Sequence, residues 1–277
     1  MTATFIVTAL IGVVIGIISG MLGVGGGMMM VPLFRLAYGM SAVVSTATSL
    51  FTIIPTSISG TISHLRAKTC VPKLGVALGV GGACTSPIGV WLAQIAPPWL
   101  VMIAAAAVIA YSSITMFKKA LDMPRETPRR SGGNDSSGVT SDAQAAPEIP
   151  EFSRKRLIGT SGIGLLAGLA SGFVGLGGGF IMVPLMVAFL HMPMRVTSGT
   201  SLIAIMILAT PATITQCALG NVDLLAGIAM ACGTIPGAVL GARLMRLIPE
   251  RTLRFVFGTF LLAAAVLLAL KETGVLG

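Results

Sequence analysis

Charge is what this chain has least of. Asp, Glu, Lys and Arg make up 10% of its 277 residues, against roughly 25% in a soluble domain. That shortage excludes an ordinary water-exposed globule. Aromatic residues are scarce as well, at 5%, and the nine carboxylates stay out of the apolar runs. Asp122, Glu126, Asp135, Asp142, Glu148 and Glu151 share one central polar stretch, and Asp223, Glu250 and Glu272 lie at segment ends. Proton and cation pumps generally carry Asp or Glu in mid-span, so a carboxylate proton relay or a cation site has nothing to build on. Paired catalytic acids, an HExxH pattern and a nucleophile backed by His and Asp are missing too, and no enzyme is expected. The four cysteines, Cys70, Cys84, Cys217 and Cys232, fit no metal-ligand or CxxC spacing. They read as small apolar packing residues, and neither metal nor cofactor is expected. No basic n-region precedes Phe5 and no AxA-like site follows the first apolar run. That run therefore reads as a retained membrane segment and not as a signal peptide.

What is present is apolar. The chain is 55% hydrophobic with 35 glycines and a mean hydropathy of +0.95. Its apolar runs are continuous and not alternating, which excludes an outer-membrane barrel. Glycine suits helices that approach closely in lipid. An all-α polytopic integral membrane protein follows, with the lipid bilayer as its first partner. Of the 18 Lys and Arg behind the net charge of +9, most sit in loops and in the polar stretch. This is the bias that orients membrane proteins, and nucleic acid is not expected as a partner.

The predicted spans are Thr4 to Leu22, Thr46 to Ser63, Leu74 to Gln94, Trp99 to Phe117, Leu157 to Val174, Leu202 to Leu219, Leu224 to Leu244 and Leu253 to Leu270. Two shorter apolar segments, Met28 to Tyr38 and Phe180 to Leu190, follow glycine triplets. Residues 118–156 are rich in Pro, Ser, Gly and charge, which predicts a flexible cytoplasmic linker without chemistry. It separates a first membrane repeat, 1–117, from a second, 157–277.

The repeat is explicit. Ser19 to Leu33 reappears as Ser171 to Leu185, with ten of fifteen positions identical and the other five exchanging one apolar residue for another. The same offset of 152 pairs Ser45 to Leu50 with Thr197 to Leu202, His64 with Gln216, and Pro97 with Pro249. Loop charge gives the relation between the halves. The linker is basic, the loop with Arg66, Lys68 and Lys73 is basic, and so is the stretch holding Arg243, Arg246, Arg251 and Arg254. The counterpart of that last stretch is the uncharged Pro97-Pro98 turn. Positive-inside bias then predicts two inverted-topology repeats of about five hydrophobic segments each, a glycine-broken or short helix in each, and both termini outside.

The polar machinery suits an anion. A helix beginning after Gly25-Gly26-Gly27 or Gly177-Gly178-Gly179 offers free N–H groups and a positive dipole end. Thr46, Thr48, Ser49, Ser198, Thr200 and Ser201 can donate to an oxyanion, or simply cap helices. Close packing is the plain alternative for the glycines. His64 could donate to substrate or carry a proton, with Gln216 in its place in the second half; the plain alternative is an interfacial histidine facing water. His191 has no expected role. Arg35, Arg195 and Arg243 near span ends read as snorkelling or as attracting anions at a mouth. The 16 methionines read as packing, since Met28-Met29-Met30 becomes Phe180-Ile181-Met182 in the second copy.

GxGGGxxxVPL, a TSL-type hydroxyl segment and a histidine about fifteen residues on, twice in degenerate form, resembles the TauE/SafE sulfite exporter family. Gly23 to Gly27, Gly175 to Gly179, Thr48-Ser49-Leu50, Thr200-Ser201-Leu202 and Gly241-Ala242-Arg243-Leu244 carry the resemblance. Ala47 stands where the second copy has Gly199, and Gln216 where the first has histidine. The resemblance implies export of sulfite, or of a sulfonate such as sulfoacetate, across the bacterial inner membrane, and a small anionic partner. An importer or exchanger of another small anion, such as a carboxylate or thiosulfate, fits the same residues, as does a non-transporting membrane scaffold at lower weight. Homo-oligomerisation is left open.

Overall fold

The computed structural model describes residues 2–121, 154–190 and 192–272. The body of the expected linker, 122–153, and His191 lie outside the described residues. Among those described there is no strand. The helices are α1 (Thr2–Leu22), α2 (Gly27–Ala37), α3 (Ala42–Arg66), α4 (Pro72–Ile95), α5 (Pro98–Leu121), α6 (Arg154–Val174), α7 (Gly179–Phe189), α8 (Met194–Ala218), α9 (Leu224–Leu244) and α10 (Glu250–Glu272), with a 3-10 turn at Met245–Leu247. The duplication persists in every element: Gly27 and Gly179, Ala42 and Met194, and Pro72 and Leu224 each open equivalent helices 152 residues apart.

Among the described residues, five helices are long and apolar enough to cross a membrane: α1, α3, α4, α8 and α9. At 11 residues each, α2 and α7 reach only ~16 Å, about half the hydrocarbon thickness. The third helix of each half is longer than the sequence suggests. Ser41, extended at φ −60° and ψ 160°, accepts from the Val44 amide at 3.3 Å and starts α3 at Ala42. Pro193 takes the equivalent place before α8. The hydroxyl segments therefore lie inside these helices and cap neither α3 nor α8.

The main interfaces run between the halves. α1 packs on α9, α6 on α4, α5 on α10, and α3 and α8 meet in the middle. In lipid there is no water to expel between helices, so close packing must hold them. Glycine allows it: a methyl group on Gly172 would lie 2.0 Å from the Ser86 carbonyl oxygen. The contacts also fix the sense of each pair. Gly12, Gly16 and Gly20 meet Met230, Thr234 and Ala238 in rising order, so α1 and α9 run the same way. α3 and α8 run oppositely, since His64 meets Gly199 and Gly60 meets Leu202. Large apolar side chains such as Leu10, Trp91 and Leu225 are exposed, where acyl chains would cover them.

Candidate functional site

Both helix breaks are built from glycine in the left-handed region. Gly23, Gly25 and Gly26 have φ of 73°, 80° and 80°, and Gly175, Gly177 and Gly178 have 75°, 85° and 72°. Residues with a Cβ rarely adopt these angles. The two breaks are buried and touch: a methyl group on Gly27 would be 2.9 Å from the Leu176 carbonyl oxygen, and one on Gly179 would be 2.8 Å from that of Gly23. Ile53 and Ile205 flank Gly25.

Around this centre each half holds the break of the other. Ser49 donates to the Gly175 carbonyl at 2.6 Å, and Ser201 donates to the Gly23 carbonyl at 2.6 Å. Thr48 accepts from the Asp223 amide at 3.0 Å, and Thr200 accepts from the Val71 amide at 3.0 Å. Thr200 itself donates to Val196 O at 2.7 Å. Thr46 and Ser198 bond back to Val43 O and Met194 O within their helices. All six hydroxyls are buried.

His64 is fully buried, so it is not an interfacial residue facing water. Its Nε2 lies 3.0 Å from the Gly20 carbonyl, which can only accept, so Nε2 carries a proton. Its Nδ1 is 2.8 Å from the Thr69 hydroxyl. The equivalent pair in the other half is Gln216 and Asn221, where the Asn221 amide donates to Oε1 at 2.8 Å. A methyl group on Gly199 would lie 2.9 Å from His64 Nδ1 and 2.4 Å from Thr69 O, so glycine at this position makes room for the imidazole and its loop. The predicted residues thus gather into two equivalent clusters. His64 stands with Gly20 and Gly199 on one side, and Gln216 stands with Asn221 on the other. Arg195 does not snorkel; it is partly buried and donates to Ile248 O at 2.8 Å.

Sequence reasoning passed over two residues. Ser19 and Ser171 are buried, and among the described residues their hydroxyls have no hydrogen-bond partner. Each stands beside a break: methyl groups on Gly26 and Gly178 would lie 3.4 Å and 3.3 Å from Ser19 Cβ and Ser171 Cβ. Among the described residues, none accepts a hydrogen bond from the amides of Gly25, Gly26, Gly27 and Met28, nor from those of Gly177, Gly178, Gly179 and Phe180. Buried donors without acceptors are costly and uncommon. The signal was available, because both serines are among the ten identical positions of the repeated motif.

No group of three or more His, Cys, Asp or Glu suited to a metal occurs among the described residues. No solved structure matches the chain. It is 25% identical over 258 residues to the probable membrane transporter protein YunE of Bacillus subtilis, covering 90% of this chain and 92% of that one. It is 27% identical over 256 residues to the probable membrane transporter protein YdhB of the same organism, covering 92% and 96%. The profile described as "Sulfite exporter TauE/SafE" matches residues 8–268, taking in both glycine breaks and every hydroxyl above. The chain belongs to the TauE/SafE family and is a multi-pass membrane transporter.

Proposed function

We propose that this transporter exports a small sulfur-containing oxyanion, sulfite or an organosulfonate, across the bacterial inner membrane. The anion is held where the two breaks meet, by the amides that open α2 and α7 and by the Ser19 and Ser171 hydroxyls. One observation carries this reading: among the described residues, two equivalent sets of buried donors without acceptors stand at the two breaks, which touch. An oxyanion is the complement to such a set, because it brings acceptors and negative charge to helix N-termini. The family's description supplies the sulfur chemistry.

Alternating access rests on inverted insertion of the two repeats. Two independent features support it. The loop charges put basic stretches on one side, and the equivalent helices α3 and α8 run in opposite senses at their contact. Thr46, Thr48, Ser49, Ser198, Thr200 and Ser201 then act as the joint between the halves. They become substrate donors only as a rearrangement frees their protons, while His64 and Gln216 brace the joint's two outer ends. Outward movement of an anion needs no proton relay, since each charge leaving a negative interior gains ~2.3 kcal/mol per 100 mV.

Purified protein in liposomes tests the reading. Saturable, electrogenic efflux of sulfite or a sulfonate is the expected result, and neither flux nor saturable binding of either would overturn it.

A further inference from the structure

A cavity with two arginines lies away from the breaks, at the shared end of α3 and α9. A half-open cavity of about 370 Å³ is lined there by Ile62, Ser63, Arg66, Val239, Arg243 and Leu247. The Thr56–Thr234 hydroxyl pair at 2.6 Å and the bond from Ser59 to Ile235 O at 2.7 Å join α3 to α9 about a turn before it.

Two features make this a built site and not chance snorkelling. First, Arg66 and Arg243 both line one cavity, and no acidic residue is among its described lining. Asp223, the acidic residue of α9's own end, caps the opposite end of that helix. Second, the site occurs at one of two equivalent places only. The repeat places Ala218 opposite Arg66, Trp91 opposite Arg243 and Ile95 opposite Leu247, so the equivalent end of α8 and α4 has neither cation.

The remaining lining chooses the ligand. Ile62, Val239 and Leu247 are aliphatic, and exposed apolar strips stand on the same two helices: Ile58, Ile62 and Leu65 on α3, and Ile235, Leu240 and Leu244 on α9. A free four-atom oxyanion would leave both the volume and these strips without use. We propose that the cavity holds the phosphate of an anionic phospholipid, with Arg66 and Arg243 on its oxygens, Ser63 beside them and the acyl chains along α3 and α9. Basic pockets between membrane helices take such headgroups, and forked guanidinium donors match phosphate geometry.

The test is competitive binding of fluorescent phosphatidylglycerol to the full chain in phosphatidylcholine nanodiscs. Retention of phosphatidylglycerol over phosphatidylcholine is expected. Arg66→Gln and Arg243→Gln should each weaken it by about fivefold. Arg66→Lys with Arg243→Lys should keep most of it, which controls for folding. Lys68→Gln with Lys73→Gln removes the same charge outside the cavity and should leave it unchanged. Equal retention in the double glutamine variant would overturn the proposal, as would an equal loss in the lysine-loop variant. Arginine-dependent binding of inorganic phosphate or sulfite that phosphatidylglycerol does not displace would also overturn it, by assigning the site to a soluble anion. None of these readouts depends on transport, so failure here and failure of the export reading are separable.

Discussion

The Ser49 hydroxyl donates to the Gly175 carbonyl at 2.6 Å, and its equivalent, Ser201, donates to Gly23 at the same distance. Both bonds are buried and tie a helix of one half to the break of the other. Ser49→Ala and Ser201→Ala should each lower stability by about 1–3 kcal/mol, the cost of stranding a buried acceptor. Near-equal shifts are expected in denaturation in detergent, because the two bonds are equivalent. A large inequality would show that the halves do not share the joint evenly.

Ser19 and Ser171 should respond in the opposite way. Their hydroxyls have no partner among the described residues, so Ser19→Ala and Ser171→Ala should leave stability unchanged or slightly raised. Each should nonetheless weaken sulfite binding, by about fivefold for one lost hydrogen bond near 1 kcal/mol. Unaltered affinity in calorimetry would remove both serines from the site.

Gly199→Ala should cost about 1–3 kcal/mol through overpacking, since the new methyl would lie 2.4 Å from Thr69 O and 2.9 Å from His64 Nδ1. Ala47→Gly, at the equivalent position, should cost only about 1 kcal/mol, the ordinary penalty for glycine in a helix. Thermal unfolding of both variants compares the two clusters directly.

Cys70 lies in the loop between α3 and α4, and burial pushes its thiol above the ordinary value. At a given pH less of it is thiolate, the reactive form. Alkylation at neutral pH should therefore reach Cys217, which is exposed, well before Cys70. Raising the pH should speed the Cys70 reaction. Mass spectrometry of a labelling time course distinguishes the two thiols.

Inverted insertion is tested by a reporter fused after Gly277, which should read outside. A cytoplasmic reading would contradict the orientation drawn from the loop charges.

Much of this architecture was legible in the sequence because membrane helices and glycine breaks are local signals. The triplets at Gly25 and Gly177 located both breaks, and the 152-residue register located every equivalent helix. Partner choice was not local. Nothing in Thr48-Ser49 says that these hydroxyls bond to Asp223 and Gly175, more than 120 residues away in sequence. His64 follows an apolar run and precedes a basic loop, so its sequence context suggested water. Burial came from Gly20 and Gly199, on two other helices. Ser19 and Ser171 were overlooked because serine near a helix end is common, and only the lack of a partner sets them apart.

The pairing of α1 with α9 and of α6 with α4 has a consequence for biogenesis. A ribosome delivers α1 and α4 to the membrane long before their partners exist. Until the second half arrives, the glycine faces of both helices must be covered by lipid or by the insertion machinery. Neither half completes its packing alone, so the two should mature together. Halves expressed as separate chains should accumulate only when both are made in the same cell.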